Sequence, residues 1–134
     1  MNKLKGKIVS IETSKHMSMV DVEVKGEIFS AIVLETPETA EYLKIGGDVF
    51  IVFKETEVSI AKNLSGLISI RNRIKSKIKR IDSDGILTKV TLSFNEANVI
   101  SVISTKSARK LELKNGDDVE WLVKTNEISL YPDI

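Results

Sequence analysis

The sequence predicts a mainly β protein built from two tandem, small, OB-like five-stranded barrels, each carrying one short helix. Three observations lead there. Val20, Val22 and Val24 alternate strictly with Asp21, Glu23 and Lys25, the period-two signature of a half-buried strand. The period then changes over Thr36-Pro37-Glu38-Thr39, where a hydroxyl, a proline and an acid stand in the order of a helix start. Finally, the chain repeats itself at an offset of 70 residues. Lys5-Gly6-Lys7-Ile8 falls on Lys75-Ser76-Lys77-Ile78, Leu43-Lys44-Ile45-Gly46-Gly47-Asp48-Val49 falls on Leu113-Lys114-Asn115-Gly116-Asp117-Asp118-Val119, and Lys54, Glu57 and Ser59 fall on Lys124, Glu127 and Ser129. One short match between β-rich segments arises by chance, whereas a register held without a gap across the whole repeat is duplication.

The copies span residues 1–62 and 69–134, with a linker at 63–68 around Asn63-Leu64-Ser65-Gly66. In the first copy a strand over Lys3–Ile11 is followed by the alternating strand ending at Lys25. Lys25-Gly26-Glu27 reads as a tight turn. Ile28–Leu34 carries more apolar residues than alternation requires, which predicts cover on both faces. Thr36 is the expected N-cap, with Ala40, Tyr42 and Leu43 as a short apolar helical face ended by Gly46-Gly47. Asp48–Lys54 is a strongly apolar strand and Glu57–Ala61 a short last one. Five short strands with one brief helix suggest barrel closure, which removes exposed strand edges. Copies this small make marginal cores, so they are expected to pack on each other or on other subunits.

Composition narrows the chemistry. The 134 residues include 20 Lys and Arg against 19 Asp and Glu, a net charge of +1, so any anion must be held by local groups and not by a general field. The absence of cysteine rules out disulfides, thiolate metal sites and Cys nucleophiles. The start, Met1-Asn2-Lys3-Leu4-Lys5-Gly6-Lys7, lacks the apolar run of a signal peptide, and no window has the length of a membrane span. A cytoplasmic protein without membrane contact is expected. No paired carboxylates, histidine arrangement or Gly-rich phosphate loop points to an enzyme.

One stretch carries a functional signal. Ser69-Ile70-Arg71-Asn72 places a hydroxyl, a guanidinium and an amide at the entrance of an alternating strand, a way to hold an oxyanion there. Together with the K-G-x-I strand, the V-x-V-x-V strand, the hydroxyl-rich turn into a short helix and the L-x-x-G-D-x-V run, it resembles the S-A-R-N pattern of Mop (molybdenum-binding, TOBE-like) domains. The tandem form resembles the cytoplasmic di-Mop molybdate-binding proteins over essentially the whole chain. That resemblance implies a non-enzymatic binding protein for the tetrahedral oxyanion molybdate or tungstate, serving storage or homeostasis. It also implies sites formed between neighbouring domains of a homotrimer, with no further cofactor and no metal held as a cation.

The resemblance assigns oxyanion binding to Ser69, Arg71, Asn72, Ser104, Ser107 and Lys124, with Lys54 as a further candidate from the first copy. Of the first-copy motif only Asn2 and Lys54 remain. Met1 stands where Arg71 stands, and Leu34 and Pro37 replace Ser104 and Ser107, so fewer sites are expected than two intact domains would form. A tetrahedral dianion offers only acceptors, which is why hydroxyls, Arg and Lys heads and backbone N–H groups suit it. Other residues read more simply. His16 is a solvated hairpin residue, and Trp121, on the position of Ile51, is core or subunit interface. Two other functions stay open: a structural or interaction module of the same fold, and a barrel binding single-stranded nucleic acid along Arg71, Arg73, Lys75, Lys77, Lys79 and Arg80.

Overall fold

The computed structural model describes residues 1–134. Two curled five-stranded sheets are built from strands β1 (Asn2–Ser14), β2 (Met17–Val24), β3 (Glu27–Val33), β4 (Asp48–Phe53), β5 (Ser59–Ala61), β6 (Asn72–Asp84), β7 (Leu87–Phe94), β8 (Ala97–Ser104), β9 (Asp118–Val123) and β10 (Ser129–Pro132). Both sheets are antiparallel throughout, so one face can be dry and the other wet. Alternation places Val20, Val22 and Val24 in one core and Val90, Leu92 and Phe94 in the other, each almost wholly buried. Trp121 is a core residue, 0% exposed, with its indole N–H donating to Ser76 Oγ at 2.9 Å. Phe94 meets its ring edge-on at 5.9 Å.

The 70-residue offset reappears as geometry. β1 carries a bulge between Ile8 and Ser10, and β6 carries the same bulge between Ile78 and Arg80. Each bulge is held by the loop that precedes the fourth strand of its copy. Ile8 N–H donates to Gly47 O at 2.9 Å and Ile78 N–H to Asp117 O at 2.9 Å, while Gly46 and Gly116 donate back. Such bulges bend long strands and let a small sheet curl. Lys25 and Gly26 both take positive φ (51° and 87°), the requirement of a tight hairpin turn.

Strand order departs from the repeat boundaries. The sheets run β10-β4-β1-β2-β3 and β5-β9-β6-β7-β8, so each copy gives its last strand to the sheet of the other. The compact units are accordingly Met1–Phe53 with Lys124–Ile134, and Lys54–Val123. The copies at 1–62 and 69–134 are sequence repeats, and the folded units cut across them. Because Ser59 and Ser129 are equivalent under the repeat, β5 and β10 can add to β4 or β9 in one register. The alternation that places a strand in a sheet therefore does not say in which one.

The helix expected in each copy forms only in the second, as α1 (Thr105–Lys110). Thr36–Gly47 is a series of turns. There the Thr39 hydroxyl bonds both the N–H (2.9 Å) and the carbonyl (3.2 Å) of Thr36, offering the backbone a local alternative to helix. Tyr42 is tied to the Glu35 carboxylate by its hydroxyl, and burial first, then this hydrogen bond, pushes the phenol well above its usual range. The expectation for Ile28–Leu34 holds in part: Phe29, Ser30 and Ala31 are all buried, but Ile28 is 47% exposed. A 3-10 turn precedes each last strand, at Glu55–Glu57 and Thr125–Glu127. No helix is long and apolar enough to cross a membrane.

Candidate functional site

The Ser69–Asn72 stretch leads into β6. Ser69 and Arg71 are exposed, whereas Asn72 is buried and its amide nitrogen donates to Val123 O at 3.0 Å. Asn72 is thus a positioning residue: it fixes the end of β9, and Lys124 is the next residue in the chain. Its first-copy counterpart, Asn2, is buried opposite Phe53, one residue before Lys54. Both lysines lead their 3-10 turns in the same way. Lys124 N–H donates to Glu127 Oε1 at 3.3 Å and Lys54 N–H to Glu57 Oε1 at 2.9 Å, with both side chains exposed. Neither ammonium forms an ion pair within the chain. A fixed backbone carrying an uncommitted cation is what an anion site needs.

Ser104 and Ser107 stand together at the start of α1. Ser104 Oγ accepts from Ser107 N–H at 3.1 Å and donates to Ser107 Oγ at 2.9 Å, so Ser104 is the N-cap. Both remain exposed. Ser107 also borders a concavity of about 350 Å³ with Ser59, Ile60, Ile103, Lys110 and Leu111. Ser59 and Lys110 were not identified from the sequence. The repeat held a signal for Lys110, since its first-copy counterpart is Ala40, but Ser59 reaches this place only through the strand exchange.

The seven residues are not one cluster. Ser104 pairs with Leu87, which pairs with Asp84 at the far end of β6, while Ser69, Arg71 and Asn72 stand at its beginning. The exchange also redistributes the lysines. Lys54 falls in the unit with Ser69, Arg71, Asn72, Ser104 and Ser107, and Lys124 in the other.

Three cations along the basic strand are paired with carboxylates. Arg73 makes a two-pronged contact to Glu120, with both N···O distances 2.9 Å, Lys77 pairs with Asp118 at 2.9 Å, and Arg80 pairs with Asp82 at 2.9 Å. The Arg73 guanidinium holds the Glu120 carboxyl below its ordinary value. With Trp121 buried, this strand offers neither an uninterrupted cationic track nor a stacking surface. No three His, Asp or Glu side chains stand together to hold a metal ion.

Residues 68–130, nearly the whole second copy, match the TOBE domain family model. Over its whole length the chain has the fold of ModG, the cytoplasmic molybdate-binding protein, whose structure with molybdate bound superposes with a TM-score of 0.92 at 24% identity, covering 98% of this chain and 96% of that one. No curated protein sequence matches the chain.

Proposed function

We propose that this protein binds a tetrahedral oxyanion, molybdate or tungstate, in the cytoplasm and serves its storage or homeostasis without catalysing a reaction. The reading rests on the donor set kept in the second copy on a ModG-like fold: Ser69 and Arg71 exposed at the entrance of β6, Asn72 fixing the end of β9 before Lys124, and the Ser104–Ser107 hydroxyl pair. Every one of these can donate to an oxygen, and none of them is a carboxylate that would repel it.

The two groups of donors lie toward opposite ends of β6, so a site that uses both is completed by another copy of the chain. A homotrimer is the assembly proposed. Lys54 is the first-copy contribution. Because Met1, Leu34 and Pro37 replace the other first-copy donors, each trimer holds fewer anions than a fully kept pair of domains would allow. Discrimination against sulfate and phosphate comes from cavity size and, for phosphate, from the lack of an acceptor for its proton.

Isothermal titration with molybdate, with sulfate as control and the mass followed by light scattering, tests this. Wild type is expected to bind molybdate and ignore sulfate. Arg71→Ala and Lys124→Ala, folded by circular dichroism, should each lose at least about tenfold, since a charge-assisted hydrogen bond contributes ~1.5–3 kcal/mol. Undiminished binding by both variants, or none by wild type, would refute the proposal.

A further inference from the structure

The second copy carries another concavity that the oxyanion reading does not use. It opens on the bulged face of β6, β7 and β8, has a volume of about 680 Å³, and is lined by Lys79, Arg80, Lys89, Thr91, Asn98, Ile100 and Asn115. No carboxylate lines it. Arg80 is held by Asp82 at 2.9 Å, and Asp82 also stands opposite Lys89 across the β6–β7 ladder, so one acid lies at the rim beside three cations. Lys79 and Lys89 are exposed and have no hydrogen-bond or ion-pair partner in the chain. The side chains of Asn98, Asn115 and Thr91 are likewise uncommitted. Thr91 is 9% exposed, yet no buried side-chain polar atom lacks a partner, so its hydroxyl is reached from the concavity.

The fold itself does not require this lining. Seventy residues earlier the same positions are Val9, Ser10, Met19, Asp21, Ile28, Ser30 and Ile45, which is an apolar surface around a carboxylate. There Asp21 accepts a 2.6 Å hydrogen bond from Ser30. One backbone thus carries two opposite chemistries, and only that of the second copy is set for negative charge.

We propose that this concavity binds a phosphorylated small molecule carrying two or more phosphate groups. Its volume falls within the range of small-molecule sites, ~300–1,000 Å³, and leaves a lone tetrahedral oxyanion mostly in water. Two uncommitted ammonium groups and a guanidinium match a multiply charged anion, the amides and the hydroxyl add donors, and Ile100 gives an apolar wall for an organic portion. A nucleic-acid strand fits less well, since no aromatic side chain lines the concavity for base stacking.

The test titrates the full chain with inorganic tripolyphosphate at low salt, beside a single-stranded oligonucleotide. It compares wild type with the double variant Lys79→Val and Lys89→Met, which installs the first-copy residues. Wild type should bind tripolyphosphate, and the variant should lose tenfold or more with unchanged circular dichroism. Its molybdate titration should also be unchanged, which separates this site from the oxyanion site. Absent tripolyphosphate binding, or equal binding by the variant, overturns the proposal. Tighter, Lys79- and Lys89-dependent binding of the oligonucleotide overturns it in favour of a nucleic-acid backbone.

Discussion

The region around α1 and its first-copy counterpart start from the same repeat and end differently. In the second unit Ser104 caps the start of α1, and Lys62, arriving on the exchanged strand, donates to the carbonyls of Leu111 (3.1 Å) and Glu112 (3.0 Å) beyond its end. Lys62 also pairs with Asp117 at 3.1 Å. At the equivalent positions of the first unit stand Leu34, which cannot cap, and Pro132, brought by the exchanged strand of the second copy, which has no ammonium. The helix is therefore supported at both ends in one unit and at neither in the other, where the chain settles into threonine-bonded turns. The loss that removes the N-cap, Leu34 in place of Ser104, also removes a first-copy hydroxyl. Cap and donor are lost together because one serine makes both.

The strand exchange is the part of this comparison whose disruption has the largest expected effect. Val58 and Ile128 are equivalent and buried, at 1% and 3% exposure, but Val58 belongs to the second unit and Ile128 to the first. Val58 O also accepts from Ser101 Oγ at 2.6 Å. Val58→Asp buries an unpaired carboxylate, which costs several kcal/mol. Hydrogen exchange should then show protection lost over Asn72–Phe94 and kept over Asn2–Val24, with Ile128→Asp giving the reverse. Loss in the first-copy strands on Val58→Asp would mean that β5 stays with its own copy.

A second contrast lies at one position of the β1 and β6 strands. Gly6 has no room for a side chain, since an added Cβ would stand 2.5 Å from Glu23 O, 2.6 Å from Val22 Cγ1 and 2.7 Å from Val24 Cγ2. Its counterpart, Ser76, is the acceptor for Trp121, and the first copy has Ile51 there, with no N–H to satisfy. Each core is therefore tuned to its own pair. Gly6→Ser should destabilise the first unit by ~1–3 kcal/mol or more through overpacking. Ser76→Ala should cost the second ~1–3 kcal/mol by leaving a buried donor unmade. Thermal or urea unfolding measures both, and a neutral Gly6→Ser would show that the two cores are interchangeable.

Much of this was legible in the sequence. Alternation fixed the long strands, and the constant offset told of duplication and set Trp121 on the position of Ile51, in the core or a subunit interface, of which the structure shows the core; the matched bulges came only with the structure. The exchange of β5 and β10 was not legible, because equivalent strands fit either partner and nothing local to Ser59–Ala61 distinguishes them. The first-copy helix was expected because Thr36-Pro37-Glu38 satisfies local rules, whereas the decisive residues, Leu34 and Pro132, are a missing cap and a missing cation. For the candidate site, the residue types came from the motif. Asn72 proved to be a backbone anchor because only the fold brings Val123 opposite it, and Ser59 beside Ser107 depended on the exchange itself.

The smallest expected effect sharpens the helix comparison. Lys62→Met removes the cation from the end of α1, worth ~0.3–1 kcal/mol at a partly exposed terminus, and should raise amide exchange over Thr105–Lys110 without unfolding the sheet. It also frees Asp117, whose carboxyl lies below its ordinary 3.8 because of the Lys62 hydrogen bond first and the Lys114 N–H second. A depressed carboxyl contributes stability that is complete above its unfolded value and is lost as the pH falls through its lower folded value. Acid unfolding of wild type should therefore include a component below about pH 3.8 that shrinks in Lys62→Met. An NMR titration should show Asp117 moving back toward its ordinary value but not reaching it, since Lys114 N–H still donates to Oδ2 at 2.9 Å. An unmoved Asp117 together with unchanged α1 exchange would assign the helix to Ser104 alone. The lesson of Pro132 in the first unit would then reduce to the missing N-cap.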